Sequence, residues 1–193
     1  EPFIEVTYPN GSSTTDMVFD RAEIIQGKEE YDTLPGSYDD NGEVEQLVIY
    51  LKDRNYNLTL ELHYYVYEKC DIITRSAKLV NSGNESVRLE RLMSMQLDLN
   101  ESDYELSFFN GAWAREMNRS RIPIRAGKYV NESVTGTSSN RANPFFMIGR
   151  SSTTEDYGEC YGFNLIYSGN HYEAAQVNSY GKLRLVSGIN PAT

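Results

Sequence analysis

The sequence is poor in cysteine, with two in 193 residues, Cys70 and Cys160, and no Cys-x-x-Cys spacing. That excludes a disulfide scaffold and a cysteine zinc site, and leaves one long-range bridge open. Histidine is equally scarce. His63 and His171 lie in no His-Glu-x-x-His array, so a multi-histidine metal centre is excluded and each reads as an ordinary surface or strand residue. Basic residues are outnumbered, 18 Lys and Arg against 28 Asp and Glu, for a formal charge of −10. Without a basic stripe, nucleic acid and anionic membranes are not expected as partners. No apolar run approaches the ~18–20 residues of a spanning helix, and no basic-then-apolar leader opens the chain. Neither a phosphate-cradling Gly-x-x-x-x-Gly-Lys-Ser/Thr nor a strand-to-helix Gly-x-Gly-x-x-Gly occurs, so no nucleotide cofactor is expected. Gly158-Glu159-Cys160-Tyr161-Gly162 has the outline of a nucleophile elbow but lacks the serine and the following helix. Apolar spacing of three and four is nowhere sustained, and no ~20–50-residue period repeats, which removes long helices, solenoids and propellers.

What the sequence does have is alternation. Leu58, Leu60, Leu62, Tyr64 and Val66 fall on one side of a pleated strand and Thr59, Glu61, His63, Tyr65 and Tyr67 on the other, so the first set reads as core and the second as wet or half-wet. Ile72–Val80 is rich in β-branched residues, and Asn81-Ser82-Gly83-Asn84 supplies turn chemistry, making a hairpin candidate. Val87, Leu89, Arg91, Met93, Met95, Leu97 and Leu99 then share a side. The pattern predicts an all-β chain, an antiparallel two-layer β-sandwich with little or no helix, forming a single domain over residues 1–193.

Further strands are predicted at Phe3–Tyr8, Met17–Ile25, Tyr104–Phe109, Tyr161–Tyr167, Ala174–Val177 and Lys182–Val186. Gln46–Leu51 is nearly continuous apolar, as for a strand covered on both faces. Between Glu29 and Glu43 an acidic tract reads as a solvated connection. Residues 119–128 are locally basic. The sole tryptophan, Trp113, stands beside Arg115 and Glu116, and this trio is the best candidate for contact with sugar: an indole face stacks on a pyranose while charged groups grip hydroxyls. The alternative is an ion pair beneath a packed tryptophan. Alternation along a strand would point Arg115 and Glu116 to opposite faces.

Low cysteine content fits a reducing cytosol. Six Asn-x-Ser/Thr triplets, at Asn10, Asn57, Asn84, Asn100, Asn118 and Asn131, are the pattern of a secreted glycoprotein, but a chain rich in these residues generates them by chance. The chain does not begin with Met, which fits a processed product or an excised piece.

The succession Gly27-Lys28, Leu34-Pro35, Asp71-Ile72-Ile73-Thr74-Arg75-Ser76, Asn81-Ser82-Gly83, Ser94-Met95-Gln96-Leu97-Asp98-Leu99, Gly111-Ala112-Trp113-Ala114-Arg115-Glu116, Ser138-Ser139, Asn143-Pro144-Phe145 and Tyr161-Gly162-Phe163-Asn164-Leu165-Ile166-Tyr167-Ser168-Gly169-Asn170 resembles the N-terminal β-supersandwich domain of α-galactosidases of glycoside hydrolase family 36. The resemblance implies a piece of a larger enzyme that removes terminal α-galactose with retention from substrates such as melibiose and raffinose. It places both catalytic aspartates in a (β/α)₈ barrel, one in a Lys-Trp-Asp context absent here, so no catalytic residue is assigned to this chain and no metal or cofactor is implied. The expected partners are that barrel and, through homo-oligomer assembly, a neighbouring subunit whose active-site rim loops of this domain reach. Glu1 is expected to fall inside the family's domain, with initial strands missing. Thr135 before Gly136 and Asn140 after Ser139 depart from the family's pattern of Arg and His at those places. An independent carbohydrate-binding module built on Trp113 is the alternative reading.

Overall fold

Residues 1–138 and 140–191 are described in the structure, a computed structural model; Ser139 of the Ser138-Ser139 pair lies outside them. They form thirteen strands and one 3₁₀ turn, Glu68–Cys70, and the hairpins and sheet neighbours described below pair antiparallel. The chain is all-β, with sheets in a sandwich-like arrangement. It divides into two compact units, residues 2–95 and residues 96–193 with Glu1.

In the first unit β2 (Met17–Gln26), β3 (Glu45–Asp53), β4 (Leu58–Tyr67) and β5 (Ile72–Asn81) make a four-stranded sheet in chain order. The 3₁₀ turn and left-handed Asp71 (φ 53°) fold β5 back on β4. The Asn81–Asn84 turn does not extend this sheet: β6 (Arg88–Leu99) pairs with β1 (Ile4–Thr7) instead. Val6, Tyr8 and Leu58 form a buried cluster ringed by Ile4, Met17, Tyr56, Leu79 and Val87. Each such side chain removed from water contributes roughly 1.5–3 kcal/mol. Tyr8 stacks on Tyr56 with centroids 3.5 Å apart and donates its hydroxyl to Asp53. Asp53 also accepts from the N–H groups of Asp16, Asn55 and Tyr56, which locks the turn between β3 and β4. Burial raises its carboxyl, but these donors outweigh burial and hold it below the usual carboxylate range.

Along β4 the buried side changes, against the expectation of one core face. Leu58 and Leu60 are buried, as predicted, but further on it is His63 and Tyr65 that are covered while Val66 is exposed. The cause is the acidic tract. Tyr31 reaches over the opposite face and hydrogen-bonds Tyr65 and Ser76, Tyr67 donates to Ser37, and the Lys28 ammonium sits over the Tyr31 and Tyr65 rings. The connection is therefore packed onto the sheet through its tyrosine and serine, with Glu29, Glu30 and Asp32 turned to solvent. Gly27 (φ +92°) opens this tract at a conformation other residues rarely take. On β3, Gln46 and Val48 are buried while Leu47, Ile49 and Leu51 are half-buried, so only one face of that apolar run is fully covered within this chain.

In the second unit β7 (Glu105–Ala112), β8 (Arg115–Pro123), β10 (Phe145–Gly149) and β11 (Cys160–Asn164) form a sheet ordered β11-β10-β7-β8. Opposite it stand β9 (Gly127–Glu132), β12 (His171–Val177) and β13 (Leu183–Ile189). Leu106 and Phe146 from one sheet and Tyr129, Asn131, Glu173 and Ala175 from the other line a common cavity of about 10 Å³, and Phe108 meets Tyr129 at 4.7 Å between centroids. β8 and β9 cover a stretch the sequence marks only as locally basic. Both histidines are buried rather than on the surface, His63 in the first unit and His171 in the second. Cys70 and Cys160 are free and exposed. Asn131, one of the six triplet asparagines, is buried and donates to Glu173 and to the Asn143 carbonyl, so it carries no glycan in this fold.

Candidate functional site

The hairpin of β7 and β8 turns at Trp113-Ala114, with Ala112 opposite Arg115. Ala114 takes a left-handed conformation (φ 57°), and so does Met117 (φ 55°), where a bulge puts Glu116 and Met117 against Gly111. Gly111 is obligatory: a Cβ there would lie 2.6 Å from the Arg115 carbonyl oxygen and 2.8 Å from that of Asn140. The side chain of Glu116 folds back to accept the Ala114 N–H at 3.0 Å, and Asn118 donates to the Arg115 carbonyl at 2.7 Å. The tip is thus fixed by its own backbone and bonds.

Trp113 is 91% exposed at that tip, with nothing packed on it. Among the described residues Arg115 makes no ion pair with Glu116, whose carboxylate is engaged by the backbone. The structure therefore places the three predicted residues on one exposed turn. The shape is convex. An indole, a guanidinium and the 55%-exposed Met117 make a projection able to enter a concavity on another surface.

Glu101 and Glu159 both bind Arg150, which also lies over the Tyr104 ring, and the Tyr161 hydroxyl, with Arg150 second to it, holds the Glu159 carboxyl below its usual range.

The family model described as the glycosyl hydrolase family 36 N-terminal domain matches residues 1–193. The chain belongs to this family. It is 38% identical over 191 residues to α-galactosidase AgaA of Geobacillus stearothermophilus, a match covering 98% of this chain and 26% of that protein. The crystal structure of the α-galactosidase from Lactobacillus brevis superposes with a TM-score of 0.97 at 39% identity, over 99% of this chain and 26% of that one. A variant of AgaA crystallised in complex with raffinose gives the same TM-score of 0.97 at 38% identity, over 99% of this chain and 27% of the other. The family 36 chain thus spans about a quarter of the length of the curated relatives it matches.

A second group of polar residues escaped sequence reasoning. In the first unit a cavity of about 520 Å³ opens over the β2–β5 sheet, with Gln46, His63, Glu61 and Lys78 at its floor and side. These come from three strands, and only the pairings Val48↔His63, Tyr50↔Glu61 and Glu61↔Lys78 bring them to one face. Alternation within β4 already puts Glu61 and His63 on one side, but no spacing within one strand adds Gln46 and Lys78 to them.

Proposed function

We propose that this chain is the non-catalytic N-terminal β-sandwich domain of a retaining α-galactosidase acting on terminal α-galactosides such as melibiose and raffinose. Its work is to brace the catalytic (β/α)₈ barrel of the same polypeptide and to take part in subunit assembly in the cytosol. One observation carries the reading: the N-terminal-domain family model takes up the whole chain, while the α-galactosidases it matches are about four times as long. The Trp113 hairpin supports it physically, since a rigid turn that presents a bare indole suits docking into a neighbouring domain or subunit rather than life in water. The exposed free thiols of Cys70 and Cys160 support a reducing compartment. The test is turnover of p-nitrophenyl α-galactoside. The isolated chain is expected to release no nitrophenol above the buffer rate, and turnover by it would overturn the reading.

The exposure of Trp113 also favours a second reading, an independent carbohydrate-binding module with Trp113, Arg115 and Glu116 as the contact residues. As the chain's only tryptophan, Trp113 reports on this directly. A saturable change in its fluorescence on titration with galactosides supports the module, and a flat titration supports the bracing domain.

A further inference from the structure

The cavity over the β2–β5 sheet lies wholly within residues 2–95 and is remote in sequence from the Trp113 turn. Its floor is an ordered polar chain. Gln46 donates Nε2–H to His63 Nδ1 at 2.9 Å, so the ring carries its proton on Nε2 and gives it to Glu61 at 3.3 Å, and the Lys78 ammonium stands 3.8 Å from the same carboxylate. Gln46 and His63 are buried, so both ends of the imidazole are fixed and neither is free for proton transfer. The chain is thus built to orient rather than to react. Gln46 is buried and engaged with His63, so the polar groups left for a ligand are those of the partly exposed Glu61 and the exposed Lys78.

Charge on the lining is balanced, with Glu29 and Glu61 against Lys28 and Lys78, so neither an anion nor a cation is selected. Val48 and the ring of Tyr50, whose geometry is held by the Arg21 guanidinium 3.6 Å from its centroid, add an apolar wall. Oriented acceptors and donors next to an aromatic surface, without net charge, match a molecule whose groups each donate and accept and whose C–H face is apolar. A volume of about 520 Å³ is ample for a sugar ring or two.

The geometry points to a neutral-saccharide binding site in this cavity, with Glu61 and Lys78 as the hydrogen-bonding residues, Gln46 and His63 holding Glu61 in place, and Tyr50 as the stacking one. The choice of a galactoside as probe rests on the proposed function; the site itself does not.

The experiment is a raffinose titration of the isotope-labelled 193-residue chain, followed through the side-chain amide signals of Gln26 and Gln46. Saturable shifts with Kd of about 1–10 mM are expected, the weak affinity of a shallow, solvent-open sugar site. Binding is expected to weaken at least tenfold in Lys78→Ala, an exposed residue whose loss leaves the sheet intact, and in Glu61→Gln, which keeps an acceptor for His63. Trp113→Ala is expected to leave it unchanged, and galacturonate is expected to bind no better than raffinose. No saturable shift up to ~100 mM raffinose, equal shifts in both cavity variants, or loss of binding in Trp113→Ala would each overturn the assignment. None of these outcomes bears on nitrophenyl galactoside turnover, so failure here is distinct from failure of the bracing role.

Discussion

Glu173 sits between the sheets of the second unit with 2% of its surface exposed, Asn131 as its one donor, and Oε1 without a partner. Burial pushes its carboxyl up to about 8. The sign follows from proton binding. Above an unfolded value near 4.5 the unfolded chain has released this proton and the folded chain has not, so stability falls with rising pH until about 8. His171 on the same strand, buried with Nδ1 unpaired, is shifted the other way: burial keeps its ring neutral, and stability is lost as pH falls below 6.5. The two slopes oppose each other below 6.5, so from there to about 8 the carboxyl acts without it. Tyr129, which faces Glu173 across the cavity, is pushed up to about 12 by burial and does not titrate in this window. Urea unfolding should therefore show wild-type stability dropping by about 1.4 kcal/mol per pH unit just above 6.5, the slope easing to about half that as pH approaches 8. Glu173→Gln should flatten that segment and be the more stable protein at pH 8.5. An unchanged slope in the variant would remove Glu173 as its source.

At the scale of elements, the β7–β8 hairpin concentrates unusual backbone. Two non-glycine residues in the left-handed region within four positions cost about 1–2 kcal/mol each. Met117→Gly should relieve one of them and raise stability by up to about 1 kcal/mol after the entropy cost of glycine. Gly111→Ala should lower it by about 1–3 kcal/mol, because the methyl group meets carbonyl oxygens of the hairpin and of Asn140 rather than yielding side chains. Thermal melts of the two variants should move in opposite directions.

The same hairpin shows what the sequence made legible. β4 and β6 could be read because their alternation is long and apolar on one side, β3 because its run is nearly continuous apolar, and β5 because it is rich in β-branched residues. β8 could not: Arg115–Pro123 is exposed at nearly every position, so no buried stripe marks it, and the bulge at Met117 breaks what period it has. Trp113 could be singled out as the sole tryptophan, because that signal sits in one residue. The polar floor of the cavity could not, since Gln46 and Lys78 join Glu61 and His63 only through strand register. The switch of buried face along β4 was hidden for a related reason. It is set by Tyr31, more than thirty residues away, and nothing in the local pattern of Leu58–Tyr67 records that.

For the whole molecule, the most consequential feature is the side of the β2–β5 sheet that Tyr31 does not cover. Register aligns Ile24 with Leu47, Leu47 with Tyr64, Ile49 with Leu62 and Val66 with Ile73, which makes a largely apolar face interrupted by Arg75 over the Tyr64 ring. Ile24 is 78% exposed and Ile73 62%. Water contact on a patch of this kind is unfavourable by roughly 25 cal/mol per Å², and a monomer relieves it by association. Both edge strands, β2 and β5, also carry open backbone groups next to the patch, which adds a route for strand pairing between copies. The net charge of −10 opposes association at low ionic strength and opposes it less as salt screens it. The isolated chain should therefore show an apparent mass that rises with concentration and with salt in light scattering. Ile24→Lys with Ile73→Lys should hold it monomeric under the same conditions without lowering its melting temperature, because neither side chain is buried. If the double variant associates as the parent does, the apolar face is not the cause, and the β2 and β5 edges become the surface to test with proline.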